Sequence, residues 1–200
     1  RFAELHVIQL NDTHPVVAIP ELMRILIDEY NLGWDEAWNI VTHTFAYTNH
    51  TILAEALEKW PISIFQSLLP RVYQIVEEIN RRLVIELREK FPNDYYKHEH
   101  MAIIHNNMVY MAWLAIHSCF SVNGVAELHT KPLKEAELKD WYTIYPEKFN
   151  NKTNGITQRR WLLNANPQLS DFITKRIGHG WEKDLTKLKG LEKYLDDEES

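Results

Sequence analysis

The chain has 200 residues, of which 45% are hydrophobic and 25% charged, with a formal charge of −6. That composition supports a packed core and excludes a disordered chain, and the acidic balance excludes a general nucleic-acid binder, which needs a basic face to release counterions. Cys119 is the only cysteine, so an intrachain disulfide and a cysteine-built zinc cluster are both excluded. No apolar run reaches the length of a membrane span, and Arg1-Phe2-Ala3-Glu4 is not a signal peptide. A cytoplasmic setting without nucleic acid or membrane is expected. The chain opens directly before a strand without an initiator methionine, which reads as a fragment.

His6 to Leu10 is a short apolar run ending at Asn11-Asp12, the pattern of a buried strand with a polar carboxyl edge. Pro20 starts a helix carrying Leu22, Ile25, Leu26 and Tyr30, which Asn31-Leu32-Gly33 stops. Trp34 to Phe45 reads as a second helix, Ala46 to His50 as a strand or extended segment, and Leu53 to Trp60 as one or two helical turns ended by Pro61. Leu68 to Phe91 is the longest helix, with Val72, Ile75, Val76, Ile79, Leu83 and Leu87 on its buried stripe and Arg81-Arg82 on the solvated face. Met101 to Ser121 is strongly apolar and reads as a central helix. Shorter helices are expected at Leu133 to Tyr142, Pro167 to Ile177 and Asp184 to Leu195, and Trp34, Trp38 and Trp113 fall at core spacing. The whole is a helix-rich α/β chain, in which ligand crevices form at the carboxyl ends of strands.

Three polar islands fall at such strand ends. In Asn11-Asp12-Thr13-His14-Pro15, Asp12 and His14 stand two apart, so an extended segment presents an acceptor and a switchable donor on one side. An Asx-turn capping the next helix explains the same residues equally well. Tyr47-Thr48-Asn49-His50-Thr51 is followed by Glu55 and Glu58, a carboxylate pair near a histidine that could do acid/base work. A capped helix with solvated glutamates is the plainer reading. Asn151 to Trp161 joins a polar turn to Arg159, Arg160 and an indole, which suits a polyhydroxylated or phosphorylated ligand or a turn into an amphipathic helix. His98, His100 and His105 lack the companion ligands of a metal site and read as a solvated helix start. Ser118 to Ser121 lacks a nucleophile elbow, and the chain has neither a phosphate-binding glycine loop nor a dinucleotide fingerprint.

Taken together, Val7 to Pro15, Thr44 to Thr51, Glu55 to Trp60, Val122-Asn123-Gly124-Val125-Ala126 and Lys152-Thr153-Asn154-Gly155-Ile156-Thr157 resemble the α-glucan phosphorylases, in the same order through essentially the whole chain. The resemblance implies a helix-rich fragment of a two-domain, Rossmann-like glycosyltransferase fold of the GT-B type. Residues 1–154 would be the C-terminal part of the N-terminal domain, and 155–200 the interdomain seam and first helices of the C-terminal one. It implies phosphorolysis of terminal α-1,4-glucosidic bonds by inorganic phosphate, giving glucose 1-phosphate with retention. Pyridoxal 5'-phosphate would be the cofactor, and full-length members are usually homodimers.

Carried over by resemblance, His50 matches the histidine at the reacting glucose, whose backbone carbonyl faces developing positive charge. Asn154 matches a glucose-binding asparagine, Asp12 and His14 line the acceptor-sugar side, and Glu58 and Val125 border the glucose pocket. Trp161 matches a tryptophan beside the cofactor. Glu55, His129 and Arg160 are weaker matches outside this set, and no metal is implied. Gln158 and Ala54 stand where many members have proline, and Cys119-Phe120-Ser121 replaces a small-residue stretch; these departures suggest a bacterial lineage. The family's Thr-Gly-Asn-Met-Lys segment with its cofactor lysine does not occur in this chain, so the isolated chain is expected to be inactive. A non-catalytic glucan-binding module is the alternative. A two-carboxylate hydrolase on Glu55 and Glu58 ranks last, because residues three apart on one helix do not flank opposite faces of a sugar.

Overall fold

The computed structural model describes residues 1–196 and divides the chain into two compact units, Arg1–Thr153 and Asn154–Ser200. In chain order the first unit contains α1 (Phe2–Leu5), β1 (Ile8–Asn11), α2 (Ala18–Arg24), α3 (Trp34–Thr42), β2 (Phe45–Thr48), β3 (Lys59–Pro61) and α4 (Ile62–Leu68). The series continues with α5 (Pro70–Lys90), α6 (Tyr95–His100), β4 (Ile104–His105), β5 (Met108–Tyr110), α7 (Met111–Ser118), β6 (Ser121–Gly124), α8 (Glu127–Pro132), α9 (Lys139–Ile144) and β7 (Phe149–Asn151). The second unit holds α10 (Pro167–Ile177) between a π-helical turn, Arg159–Asn164, and a 3-10 segment, Leu185–Tyr194.

The α/β class expected from the sequence is therefore present. Four strands form a parallel sheet in the order β1-β2-β6-β7, with Leu10 beside Tyr47, Thr48 beside Asn123 and Gly124 beside Asn151. Phe45, Ala46 and Tyr47 are all buried, as a central strand covered on both faces requires. The order across the sheet follows the order in the chain, so each connection steps to the same side. β1 reaches β2 through α2 and α3, and β6 reaches β7 through α8 and α9. The connection from β2 to β6 takes in everything from residue 49 to 120, including an antiparallel sheet of order β3-β5-β4.

α5 buries Val72, Tyr73, Ile75, Val76, Ile79, Leu83 and Leu87 along one face, which is the expected stripe with Tyr73 added. Its outer face carries the paired arginines: Arg81 and Arg82 each lie 2.7 Å from Glu78, and Arg82 also reaches Asp35 at 2.8 Å. Trp34, Trp38 and Trp113 pack, partly buried, against the core.

Several expected elements take another form. The helix expected over Leu53 to Trp60 is only a 3-10 turn at Ala54–Ala56, and Trp60 pairs with Val109 in β3. Pro61 ends that strand and precedes α4, where its missing N–H breaks no helical bond. Helix α3 stops at Thr42 instead of Phe45, because Thr44 turns its hydroxyl back to the Ile40 carbonyl at 2.7 Å and Phe45 joins β2. The single helix expected over Met101 to Ser121 is instead a hairpin, β4 and β5, followed by α7 and β6. Its turn residues Asn106 and Asn107 have φ of 49° and 57°, the left-handed pair of a tight hairpin.

In the second unit α10 follows the expected span. Pro167 opens it, and the Asn166 side chain accepts from the Leu169 amide at 3.1 Å. Trp181 is fully buried, with its indole N–H donating to Thr174 Oγ1 at 3.2 Å. Gln158, also buried, donates to the Glu182 carbonyl at 3.1 Å.

Candidate functional site

Because β1, β2, β6 and β7 run parallel, their carboxyl ends share one edge, and polar residues crowd it. Gln9 Nε2 donates to Thr48 Oγ1 at 2.8 Å, Thr48 Oγ1 to Asn123 Oδ1 at 2.9 Å, and Asn123 Nδ2 to the Gly124 carbonyl at 2.9 Å. The backbone ladder then runs one rung beyond each strand. Asp12 N donates to the Thr48 carbonyl at 3.0 Å, Asn49 N to Asn123 at 2.9 Å and Lys152 N to Gly124 at 3.1 Å. The starts of the edge loops are thereby fixed in place by the sheet itself.

The loop after β1 turns at Asp12, whose φ of 66° is a left-handed conformation that aspartate tolerates better than most residues. Its carboxylate accepts from the adjacent Thr13 amide at 2.7 Å, a tighter contact than the Asx-turn expected from the sequence. Thr13 is buried and its hydroxyl donates to Glu58 Oε2 at 2.6 Å. The Trp60 indole N–H donates to Glu58 Oε1 at 2.8 Å, and the exposed His14 ring approaches Oε2 through Nδ1 at 3.8 Å. Asp12, His14 and Glu58 thus line one cavity of about 220 Å³ together with Thr13, Thr51 and Leu57. A larger cavity of about 410 Å³ shares Leu57 and Glu58 with it and is walled elsewhere by Glu55 and by the rings of Tyr96, His100, Tyr110 and Trp113.

His50 follows β2 and is exposed; its Nε2 donates to Asn11 Oδ1 at 2.6 Å, which leaves Nδ1 of the neutral ring as an acceptor. Asn49, next to it, is buried, donating to the Tyr47 hydroxyl at 3.1 Å and accepting from the Thr51 amide at 3.1 Å. Burial pushes the Tyr47 phenol well above its ordinary value, with the Asn49 bond opposing. Val125 directly follows β6, and its amide donates to His129 Nδ1 at 3.1 Å. Burial first, and then the nearby His50, push the His129 imidazole below its ordinary value.

Asn154 and Trp161 belong to the second unit. Asn154 is exposed in the turn that opens it, and Trp161 is 62% exposed on the π-helical turn. Arg160 is exposed, while Arg159 leans on the Glu182 carbonyl at 3.3 Å.

The sequence did not single out Thr13, Trp60 or Asn11, which hold Glu58 and His50. Thr13 and Asn11 have partners 45 and 39 residues away, which local spacing does not mark, whereas Trp60 bonds Glu58 from two residues on because β3 is extended there. Conversely, the three histidines at and just after α6 have structural occupations. His98 bonds the Phe91 carbonyl at 2.7 Å, His100 stacks on Tyr96 at 3.7 Å and His105 stacks on Tyr110 at 3.7 Å. Among the described residues no three His, Cys, Asp or Glu side chains are grouped to hold a metal ion, and no helix is long and apolar enough to cross a membrane.

A family model described as carbohydrate phosphorylase matches residues 1–200. Over 190 residues the chain is 56% identical to a glycogen phosphorylase of Bacillus subtilis, covering 95% of this chain and 24% of that protein. It is 48% identical over 198 residues to a glycogen phosphorylase of Synechocystis, covering 98% of this chain and 23% of that one. The muscle form from Oryctolagus cuniculus is 48% identical over 200 residues, covering 98% of this chain and 24% of that protein. The chain spans about a quarter of the length of the curated relatives it matches.

Proposed function

The chain belongs to the carbohydrate phosphorylase family, and from that premise we propose that the full-length protein cleaves the terminal α-1,4 bond of a glucan with inorganic phosphate, releasing glucose 1-phosphate with retention. The observation that carries this reading is the convergence of Asp12, His14 and Glu58 on one cavity at the carboxyl edge of the parallel sheet. Two carboxylates and an imidazole there offer acceptors and a donor for sugar hydroxyls. His50, oriented by Asn11, presents a fixed acceptor near the same edge, and Val125 an apolar surface. Asn154 is assigned to glucose hydroxyls. In this reading residues 1–154 end the N-terminal domain of a GT-B type enzyme, and 155–200 begin the seam and the C-terminal domain. A homodimer in the cytoplasm is part of the same proposal.

Pyridoxal phosphate is the cofactor this reading implies. Trp161 suits it, since an exposed indole offers an aromatic wall for a pyridine ring. The chain has no Thr-Gly-Asn-Met-Lys segment, so it contributes a lining surface and no covalent link. When bound, the cofactor supplies a phosphate group that relays a proton with the substrate phosphate.

Steady-state assay of the full-length protein on maltodextrin and phosphate tests the assignment. His50→Ala and Asn154→Ala each remove a sugar hydrogen bond and should lower kcat/KM by about 1–3 kcal/mol in transition-state terms. Unchanged kinetics in both variants would sink the site. The 200-residue chain alone is expected to release no glucose 1-phosphate.

A further inference from the structure

We propose that Asn154-Gly155 is a site of spontaneous deamidation, at which the Asn154 amide is converted to aspartate and isoaspartate. The covalent step needs only these two residues and water. Its effect on glucan binding rests on the reading that Asn154 contacts glucose hydroxyls.

In the step, the Gly155 backbone nitrogen attacks the carbonyl carbon of the Asn154 side chain. A new N–C bond closes a five-membered succinimide, and the side-chain nitrogen leaves as ammonia, carrying the proton that Gly155 gives up. Water then opens the ring at either of its two carbonyls, which yields aspartate or isoaspartate. Nothing is oxidised or reduced. The reaction requires a side-chain amide and a backbone N–H that are both free, and it is fastest before glycine, which has no side chain to crowd the attack.

Asn154 and Gly155 are both exposed, between the end of β7 at Asn151 and the π-helical turn that starts at Arg159. Neither the Asn154 side chain nor the Gly155 amide has a hydrogen-bond partner among the described residues. A Cβ built on Gly155 meets nothing within 4 Å, so the backbone there is uncrowded. The chain's other Asn-Gly pair is protected on every count. Asn123 is 7% exposed, its Oδ1 accepts from Thr48 Oγ1 at 2.9 Å, and its Nδ2 donates to the Gly124 carbonyl at 2.9 Å. Gly124 is itself paired with Asn151 in the sheet. Asn106 and Asn107 are exposed, but the side chains of Asn107 and Met108 follow them.

Both products replace an amide that donates and accepts with a carboxylate that only accepts, and they add one negative charge to the formal −6. Isoaspartate also routes the backbone through an extra methylene. Either change removes the donor that a sugar hydroxyl would meet at Asn154.

The test incubates the full-length protein in mildly alkaline buffer, which promotes loss of the Gly155 amide proton, with and without maltoheptaose. Tryptic digestion then releases residues 153–159 as one peptide for mass spectrometry. That peptide should gain the acid in place of the amide, chiefly as isoaspartate, while the peptides holding Asn123 and Asn106 keep theirs. Retention of the Asn154 amide to the same extent as Asn123 overturns the proposal. Gly155→Ala should lose most of the modification, because its methyl finds open space in the fold but hinders the attacking nitrogen. An undiminished rate in that variant overturns the succinimide route, and should the variant misfold, the peptide from the unsubstituted protein decides alone. The modified protein, separated by anion exchange on its added charge, should bind maltoheptaose about tenfold more weakly. Maltoheptaose should also slow the modification. Deamidation with unchanged affinity and no such protection would leave the modification standing and remove Asn154 from the glucose site.

Discussion

The Glu58 carboxylate has each oxygen committed, one to the Thr13 hydroxyl at 2.6 Å and one to the Trp60 indole at 2.8 Å. Two donors, one from the loop after β1 and one from β3, give the carboxylate one orientation toward the cavity it shares with Asp12 and His14. Thr13→Val keeps a similar shape and removes one donor. In the full-length enzyme kcat/KM for maltodextrin phosphorolysis should fall about tenfold, the worth of about 1.4 kcal/mol from one charge-assisted bond. Kinetics equal to the unsubstituted enzyme would mean that Trp60 alone orients Glu58. At this scale Asp12, His14 and Glu58 each sit in a polar island beside a strand end or turn, and they line one cavity. Thr13 was not legible in the sequence, because its partner is 45 residues away and local spacing is silent about partners at that distance.

Among the elements, α5 was legible because its apolar residues recur at 3.6 spacing against a charged face. Met101 to Ser121 was not. A segment apolar on every side shows no period, so a buried strand pair and a buried helix look alike, and the Asn106-Asn107 pair was the one signal of the turn. Those two asparagines give a test of the hairpin. Asn107 has φ of 57°, which a β-branched side chain adopts only at a cost. Asn107→Val should therefore lower unfolding free energy by about 1–2 kcal/mol in denaturant titrations, and Asn107→Gly should leave it equal or slightly higher. Equal stability for the valine variant would argue against the tight turn. The short parallel strands β6 and β7 escaped for a related reason: runs of three or four residues such as Phe149-Asn150-Asn151 are too brief to show alternation.

For the molecule as a whole, a part-buried polar chain ties α5 and α7 to the segment between α9 and β7. His117 Nδ1 meets the Tyr145 hydroxyl at 2.9 Å, Tyr145 donates to Glu86 at 3.0 Å, and Glu86 pairs with Lys90 at 2.9 Å. Lys148 donates to the His117 carbonyl at 2.7 Å and lies over the Tyr145 ring. Burial pushes the His117 imidazole from 6.5 down to about 4, with Lys148 adding repulsion. The unfolded chain therefore takes up this proton first. Stability is full above 6.5 and falls as pH drops from there toward 4. His105 and His129 are shifted the same way. Carboxylates held low by cations, such as Glu78 at about 2, start to lose their contribution as pH reaches their unfolded value of 4.5 and lose the rest below it. Urea unfolding at pH 7 and 4.5 should differ by about 2 kcal/mol through His117, and His117→Gln should remove most of that difference. An unchanged pH slope in the variant would place the titration elsewhere.

The long connection between β2 and β6 has a kinetic consequence. Ala46 pairs with Ser121 and Thr48 with Asn123, so the centre of the sheet joins residues 75 apart in the chain. Closing such a loop costs entropy before any pairing repays it. α5 and the hairpin are local and can form early, while β6 must wait for the whole intervening segment to collapse before it docks on β2. Until then β2, whose Phe45, Ala46 and Tyr47 are all destined for burial, stands with one edge open. Refolding should accordingly be slow for the chain's size, and its partly folded form prone to self-association at that strand.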